Sequence, residues 1–379
     1  MPAPTPAPHP PTLYLAVTTH GYGHATRLAS IAACVRAARP DVRLIFATTA
    51  PRWLLEAYVP GDFEIRPVAL DVGVVQPDSL TNDLPATLAA LERYRSDAPR
   101  VVAEEAAFAR AAGVDLVVGD IPPLAPRIAR AAGVPGWMVS NFAWDFIYRA
   151  WGGPFAEVAD WIAACHAACD RLFRPPLCEP TASFPHVTPV GLTGGTPRWP
   201  AAAVRARWGL TAPRARIALV TFGGLGLASL PYGRLAAHPE WQFVTWDRAA
   251  PDLPNLVRVD DPCWRPVDLM PVAGRMFGKP GFSTFSEALR EGVPIVSLPR
   301  PGFVEAEILL DGVRDHARHR ILPAGDLTAE VWDRVVAPLD PPRTAVRLPM
   351  NGSAEVARAI ADQIAVGRDA RAAPPGSPR

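Results

Sequence analysis

The chain has 379 residues, of which 49% are hydrophobic and 20% are charged, and its net charge is +1 at pH 7. This balanced charge gives no support for binding nucleic acid or an anionic membrane surface, since both need a basic face. No apolar run approaches the roughly 18 residues of a transmembrane helix, and the start "MPAPTPAPHPP" lacks signal-peptide features. Five scattered cysteines suit a reducing compartment, so we expect a cytoplasmic protein.

Short β-branched runs alternate with helical stretches along the first half. Strands are predicted at residues 13–19, 42–49, 63–70, 114–120 and 134–140, and helices at 25–39, 85–113 and 126–133. A proline- and glycine-rich stretch at 189–200 interrupts the pattern. A second alternation follows, with strands at 216–224, 240–246, 256–261, 275–278 and 294–300 and a helix at 283–292. Such alternation predicts right-handed βαβ units and parallel sheets covered by helices.

We therefore predict an α/β protein with two Rossmann-like domains whose parallel sheets face each other across a cleft. The predicted segments are a disordered lead-in (1–11), an N-terminal domain (12–190), a linker (191–213), a C-terminal domain (214–350), a terminal helix able to pack on either domain (351–367) and a disordered tail (368–379). Ligands bind at the carboxyl ends of such strands. That rule directs attention to four connections that follow predicted strands.

The first connection lies in "TTHGYGHATRLAS", residues 18–30. It places His20 and His24 in a glycine-rich turn after the first predicted strand. One interpretation is a ligand cradle that contains a general base, because imidazole exchanges protons near neutral pH. The alternative is a simple tight turn whose histidines form local hydrogen bonds.

Two further connections are suited to a diphosphate. "TFGGLG" contains Gly223, Gly224 and Gly226, and its backbone N–H groups have little side-chain cover. A plain turn is the alternative. "GYGHAT" lacks the third glycine of a dinucleotide fingerprint, and the second predicted strand ends without an acid, which disfavours a dehydrogenase. The chain also has no P-loop sequence.

The stretch "GKPGFSTFSEAL" (278–289) contains Gly281, Ser283 and Thr284 at the start of a predicted helix, where amides and hydroxyls suit a phosphate. Glu287 follows one turn later and could accept hydrogen bonds from ribose hydroxyls. The alternative is helix capping, with Ser283 as N-cap and Glu287 favoured by the helix dipole. Two glycine-rich loops in one half favour a nucleoside diphosphate.

These motifs resemble known ones. "GKPGFSTFSEALREGVPIVSLPR" resembles the donor-binding stretch GGxxTxxEAxxxGxPxVxxP of GT-B glycosyltransferases, and "GYGHATRLASIA" resembles their GHxxP segment. "THGYGHATR", "VSNFAWDFIY" and "PGFVEAEIL" resemble more closely the N-terminal, glycosyltransferase-like half of plant L-arabinokinases and related stand-alone bacterial proteins. The resemblance implies a GT-B fold, with the acceptor on the N-terminal domain and a nucleotide sugar on the C-terminal domain.

The resemblance also implies roles for individual residues. His24 matches the general base, Asp120 matches the acid that orients it, and His20 is the second candidate for the base. Glu287 would hold the donor ribose, Glu305 and Glu307 would contact sugar hydroxyls, and Trp264 lies in the loop that receives the nucleobase. For Trp264, a place in the core is the alternative.

Many retaining GT-B enzymes carry a second glutamate eight residues before the position of Glu287, but here that position is Lys279. Inversion is therefore favoured, and Lys279 is available to neutralise a phosphate. The chain contains no Asp-x-Asp sequence, which argues against a metal-dependent enzyme. Cys165 and Cys169 could share a helix face beside His166, yet buried thiols are favoured over a metal site.

We expect a metal-independent, inverting glycosyltransferase without a cofactor, using a nucleoside-diphosphate sugar, preferably of UDP, and a small-molecule or glycan acceptor. Residues predicted on the acceptor side are Asn141, Trp144, Asp145 and Tyr148. Core packing is the alternative for one of the two aromatic residues. A nucleotide-sugar hydrolase or epimerase and a non-catalytic sugar or nucleotide sensor stay open as alternative functions.

Overall fold

The computed structural model describes residues 9–18, 20–77, 81–223, 227, 230–325 and 327–372, with side chains described up to residue 365. The described chain forms two sheets of parallel strands. The first has seven strands: β1 (Thr12–Val17), β2 (Arg43–Ala47), β3 (Glu64–Arg66), β4 (Leu116–Asp120), β5 (Gly136–Val139), β6 (Arg171–Arg174) and β7 (Val187–Pro189). The second has six: β8 (Ile217–Thr221), β9 (Gln242–Thr245), β10 (Leu256–Arg258), β11 (Arg275–Gly278), β12 (Ile295–Ser297) and β13 (His319–Ile321).

Helices connect the strands of both sheets. Those of the first half are α1 (Gly23–Ala38), α2 (Arg52–Glu56), α3 (Leu84–Ala111), α4 (Leu124–Ala132), α5 (Trp144–Trp151) and α6 (Phe155–His166). Those that follow are α7 (Ala201–Trp208), α8 (Pro266–Leu269), α9 (Phe282–Arg290), α10 (Val304–His316), α11 (Val331–Val336) and α12 (Gly352–Ala372). Three short 3₁₀ turns occupy Arg214–Arg216, Tyr232–Ala237 and Met270–Val272.

The strand order has the same form in both sheets. The first runs β3-β2-β1-β4-β5-β6-β7 and the second runs β10-β9-β8-β11-β12-β13. The order therefore reverses between β1 and β4 in one sheet and between β8 and β11 in the other. At these switch points the connections leave toward opposite faces, which opens a crevice at the carboxyl ends of the strands. The predicted fold class is confirmed.

Both faces of each sheet are buried. In β1, Tyr14 and Ala16 point into one core while Leu13, Leu15 and Val17 point into another, as the two-residue period of a strand requires. A strand that is apolar on both faces is typical of a parallel sheet covered by helices on each side. The sequence reads as continuous apolar runs for this reason.

The terminal helix α12 packs against the first half of the molecule. Val356, Ile360 and Ile364, spaced four residues apart, are buried in the same core as α1. The helix continues to Ala372, so residues 368–372 of the predicted tail are helical, as expected of a segment rich in alanine and arginine. Residues 373–379 and 1–8 lie outside the described residues.

Some elements differ from the predicted ones. The strands β6, β7 and β13, each three or four residues long, have no predicted counterpart. Within the predicted linker the chain forms α7, since its sequence "AAAVRARW" consists mainly of strong helix formers. Val204 and Trp208 of this helix are buried in the core of the second half. Part of the predicted linker is therefore structural.

Candidate active site

The topology of the first sheet brings the histidine loop beside Asp120. Strands β1 and β4 are neighbours in register, with Val17 opposite Asp120, and the backbone N–H of Thr18 donates to the Asp120 carbonyl at 3.0 Å. The loop that follows β1 therefore begins next to the last residue of β4. Residues about 100 positions apart in sequence meet because they follow strands on either side of the switch point.

His24 and Asp120 form a buried pair. His24 lies in the first turn of α1, and its Nδ1 is 2.7 Å from Oδ1 of the fully buried Asp120. Although burial favours the neutral carboxyl, Arg27 and His24 hold the pKa of Asp120 below its ordinary value. An ionised carboxylate favours the tautomer with the proton on Nδ1, which leaves the Nε2 lone pair that a general base needs. Arg27 Nη2, which can only donate, also lies 3.0 Å from Nδ1 and favours the opposite tautomer, but the carboxylate contact at 2.7 Å is the shorter of the two.

Arg27, three residues after His24 on the same face of α1, completes the arrangement. Its Nε and Nη2 donate to the two carboxylate oxygens of Asp120, both at 2.6 Å. Its Nη1 donates to Oδ1 of Asn141 at 2.8 Å, and Asn141 Nδ2 donates to Oε1 of Glu305 at 2.7 Å. These contacts link the histidine loop to the second half. The sequence contained a signal for Arg27 in its i, i+3 spacing from His24, but it was not recognised.

His20 has a different environment. Its Nδ1 accepts a hydrogen bond from the backbone N–H of Val74 at 3.2 Å, and its ring packs edge-on against Trp144, with centroids 5.1 Å apart. Burial lowers the pKa of His20 well below its ordinary value, and the positive charge of Arg300 adds to this effect. His20 is therefore neutral, with Nδ1 already occupied. The geometry favours His24 over His20 as the base.

The second switch point lies opposite the first. Strands β8 and β11 pair with Thr221 opposite Gly278, so the loops carrying Gly223 and Lys279 start side by side. A Cβ at Gly278 would lie 2.3 Å from the Thr221 carbonyl oxygen, so only glycine permits this approach. Gly223 has a φ of +75°, in the region that favours glycine. Gly224 and Gly226 lie outside the described residues.

Gly281 is the N-cap of α9, and the first turn of this helix faces α1. The Ser283 hydroxyl donates to the Gly23 carbonyl oxygen at 2.7 Å, joining the two halves. That hydroxyl hydrogen is thus engaged, and the predicted phosphate contact of Ser283 would require it to exchange partners. The backbone amides of the first turn and Thr284 remain well placed for an anion, because N–H groups there have no intrahelical partner.

Two adjoining cavities meet at this helix N-terminus. We call the first the histidine cavity; it measures about 110 Å³ and contains His20, His24, Lys279, Arg300 and Glu305 in its walls. The second, the tryptophan cavity, measures about 390 Å³ and contains Trp53, Trp246, Trp264 and Glu287. The residues common to both walls are Tyr22, Gly23, Thr221, Gly223, Ser283 and Thr284. The predicted diphosphate loops therefore form the boundary between the cavities.

Glu287 lies in the wall of the tryptophan cavity and is 3% exposed. Its Oε1 accepts a hydrogen bond from the Gly195 backbone N–H at 2.8 Å. Burial raises the pKa of Glu287 to about 7, with the Gly195 hydrogen bond and Arg265 acting in the opposite direction. Trp264 is half-buried and stacks on Trp199, with ring centroids 5.7 Å apart, so it both lines the cavity and packs against the core.

Several predicted site residues do not reach either cavity. Trp144 and Tyr148 are buried in the core, where Trp144 Nε1 donates to Asp71 Oδ2 at 2.9 Å and the Tyr148 hydroxyl donates to the Gly73 carbonyl at 2.6 Å. Asp145 is buried beside His166, at 3.3 Å. The structure therefore places both aromatic residues in the core, where the sequence left this alternative open for one of them. Of the four predicted acceptor-side residues, Asn141 alone lines a cavity described here.

The two acidic residues of α10 also differ. Glu305 is buried and lines the histidine cavity, whereas Glu307 is exposed and lines neither cavity. Positions two apart on a helix are rotated by about 200° around its axis, so Glu305 and Glu307 lie on nearly opposite faces of α10 and do not line the same pocket. Burial raises the pKa of Glu305, and the hydrogen bond from Asn141 opposes this rise.

All five cysteines are free thiols, and Cys165 and Cys169 are buried. Among the described residues, no group of three or more His, Cys, Asp or Glu is arranged to hold a metal ion. Likewise, no helix in the described part of the chain is long and apolar enough to cross a membrane.

Solved structures show the same architecture. The UGT2 protein of Phytolacca americana, solved with UDP-2-fluoro-glucose and pterostilbene, is 14% identical with a TM-score of 0.57, over 96% of this chain and 94% of that one. The fold is GT-B. A UDP-glucosyltransferase from Polygonum tinctorium is 16% identical with a TM-score of 0.55, over 98% and 96% of the two GT-B chains.

Sequence comparison gives a second relationship. The L-arabinokinase of Arabidopsis thaliana is 33% identical over 309 residues, which cover 77% of this GT-B chain and 28% of that protein. The chain thus matches little more than a quarter of the length of this relative. No protein-family model matches the chain. The resemblances predicted from the motifs, to GT-B glycosyltransferases and to L-arabinokinase, are confirmed.

Proposed function

We propose that the protein is a metal-independent, inverting glycosyltransferase that moves a sugar from a nucleoside-diphosphate sugar, preferably of UDP, to a hydroxyl group of a small molecule or glycan. The observation that carries this proposal is the His24–Asp120 pair, at 2.7 Å, in a cavity that adjoins the diphosphate loops. A base and an anion cradle side by side are what transfer from a phosphate leaving group to a hydroxyl requires.

The donor would extend across both cavities. Its nucleoside occupies the tryptophan cavity, with aromatic rings for the base and Glu287 for the ribose hydroxyls. Its diphosphate lies at the shared wall, against Gly223 and the first turn of α9. The sugar then enters the histidine cavity, where Glu305 accepts hydrogen bonds from its hydroxyls. Neighbouring proteins of the same fold, solved with a UDP sugar, support the choice of nucleotide.

In the reaction, Nε2 of His24 removes the proton of an acceptor hydroxyl as its oxygen attacks the anomeric carbon. The new C–O bond forms opposite the bond to the diphosphate, which breaks and leaves with its electron pair, so the configuration inverts. Asp120 stabilises the imidazolium that forms. The amides at the start of α9 and the Lys279 ammonium stabilise the charge that develops on the diphosphate, in the manner of an oxyanion hole.

The test is to incubate the protein with UDP-sugars and a set of hydroxyl-bearing acceptors in EDTA, and to follow UDP release and product configuration by NMR. An inverted glycoside, formed in EDTA only when an acceptor is present, supports the proposal. Release of free sugar without an acceptor would instead indicate the hydrolase. Binding of the donor without any turnover would indicate the sensor.

A further inference from the structure

One buried cation in the histidine cavity has no role in the mechanism above. Arg300 lies three residues after β12 and is 4% exposed, and its guanidinium stacks on the Phe303 ring at 3.8 Å. Its Nε and Nη2 are buried and have no hydrogen-bond partner among the described residues. Buried N–H groups of a charged side chain are costly to leave unpaired, so this pair requires an explanation.

The two unpaired atoms belong to one edge of the guanidinium. Arg27 shows what this edge does when it is paired, because its Nε and Nη2 grip both oxygens of Asp120 at 2.6 Å. This parallel pair of N–H groups matches a carboxylate in geometry and in charge. Arg300 has no equivalent acid among the residues that the structure describes. The charge of Glu305 opposes the effect of burial on the pKa of Arg300, but Oε1 of Glu305 already accepts a hydrogen bond from Asn141.

Arg300 lies in the histidine cavity, whose boundary with the tryptophan cavity is formed by the diphosphate loops. It lines the histidine cavity together with Asn141, Phe303 and Glu305, but it does not line the tryptophan cavity. Because β12 is the neighbour of β11 in the second sheet, Arg300 projects from the half of the molecule that holds the donor. In the proposed donor arrangement, this is the cavity that receives the transferred sugar.

Resting on the proposed function, we propose that Arg300 binds a carboxylate on the donor sugar, so that the preferred donor is a nucleotide-linked uronic acid. The charge of Arg27 is already matched by Asp120, and His20 is neutral. Lys279 directly follows β11, beside the Gly223 loop, and is assigned to the diphosphate. Arg300 is thus the cation of the histidine cavity that a sugar carboxylate best complements, beside the Glu305 carboxylate that accepts the sugar hydroxyls.

The experiment compares UDP, UDP-glucose and UDP-glucuronic acid by calorimetry, since the two sugars differ only in the carboxylate at C6. The wild-type protein should bind UDP-glucuronic acid at least about tenfold more tightly than UDP-glucose, as expected for a charge-assisted bidentate contact. Arg300→Gln should abolish that difference and leave the affinity for UDP unchanged. Arg300→Lys, which keeps the charge but not the fork, should restore only part of it.

Arg318→Gln, at an exposed position, is the matched control and should keep the full preference. Thermal unfolding checks the fold: removing a buried, unpaired charge should leave the melting temperature of Arg300→Gln equal or higher, whereas a structural arginine would lower it. An equal loss of affinity for all three ligands in Arg300→Gln would assign the residue to the diphosphate and overturn the proposal. No change for any of them would also overturn it, and would point to an anionic acceptor.

These outcomes differ from a failure of the proposed function. If wild-type protein binds UDP but shows no preference for the uronic acid, the donor site stands and the assignment of Arg300 falls. If none of the three ligands binds, the proposed UDP site itself is wrong and the inference falls with it.

Discussion

The two switch points of the molecule have the same topology but opposite chemistry. At the first, between β1 and β4, Asp120 is bound by both His24 and Arg27, with every contact at 2.7 Å or less. At the second, between β8 and β11, the wall consists of glycine loops and a helix N-terminus, and two N–H groups of nearby Arg300 have no hydrogen-bond partner in the described part of the chain. The first half holds its reactive group in place by itself. We infer that a ligand completes the second half and that substrate selection resides there.

His24→Ala should produce the largest effect. Loss of the base removes proton transfer but not the donor site, so kcat should fall roughly 10²- to 10⁴-fold while the affinity for UDP changes little. Steady-state kinetics and calorimetry measure the two quantities. His186→Ala, at an exposed position, serves as the control and should retain full turnover. A parallel loss of UDP affinity in His24→Ala would show that the first switch point also binds the donor, and would contradict the division of roles between the two switch points.

Arg27→Met should destabilise the first switch point. Asp120 is fully buried, and removing its main cationic partner leaves a charge that the interior does not compensate. We expect a loss of about 3–5 kcal/mol in the free energy of unfolding, measured by denaturant titration. Arg318→Met, which changes an exposed residue in the same way, should alter it by less than about 0.5 kcal/mol. Equal stability of both variants would show that Asp120 does not depend on Arg27.

Glu305→Gln and Glu307→Gln form a matched pair on α10. Only Glu305 lines the histidine cavity, so its substitution should lower kcat/KM about tenfold, whereas Glu307→Gln should leave it unchanged. Transfer kinetics with one UDP-sugar would measure both. Equal effects of the two substitutions would mean that the helix face assigned to the sugar is wrong.

Glu287 should make donor binding depend on pH, because burial raises its pKa to about 7. As an ionised carboxylate it accepts ribose hydroxyls, so UDP affinity should weaken as the pH falls through about 7. Because the pKa of Glu287 in the folded state lies above its ordinary value of 4.5, the folded chain binds this proton more tightly than the unfolded chain does. The free energy of unfolding should therefore decrease as the pH rises from 4.5 to about 7. Calorimetry and denaturation at several pH values measure the two trends. Glu287→Gln should remove both pH dependences. If either the affinity trend or the stability trend persists in that variant, another titratable group causes it.

Tyr148→Phe should have the smallest effect, since the Tyr148 hydroxyl only donates to the Gly73 carbonyl inside the core. We expect a loss of about 1 kcal/mol in unfolding free energy with kcat and KM unchanged. A large rise in KM for the acceptor would instead show that Tyr148 contributes to acceptor binding.

Much of the fold could be predicted from the sequence because each half repeats strongly apolar runs and helical stretches. Candidate residues at the end of a strand or directly after it, such as Asp120 and Lys279, could be proposed because strand ends in parallel sheets converge. Residues of helix interiors were harder. Trp144, Tyr148 and Glu307 were assigned from local pattern, but whether a helix face turns to a core, a cavity or solvent depends on tertiary packing. The contacts of Arg27 with Asp120 and Asn141 join residues far apart in sequence, and the burial of Arg300 follows from tertiary packing, so local spacing alone did not establish either role.

We propose that the diphosphate of a nucleotide lies where the two cavities meet. The decisive measurement is calorimetric titration of the purified protein with UDP, dTDP, GDP and ADP in EDTA. We expect UDP to bind in EDTA and Thr284→Val, at the shared wall, to weaken this binding. Failure of all four nucleotides to bind would contradict the donor site and the transferase with it, and leave the GT-B fold alone.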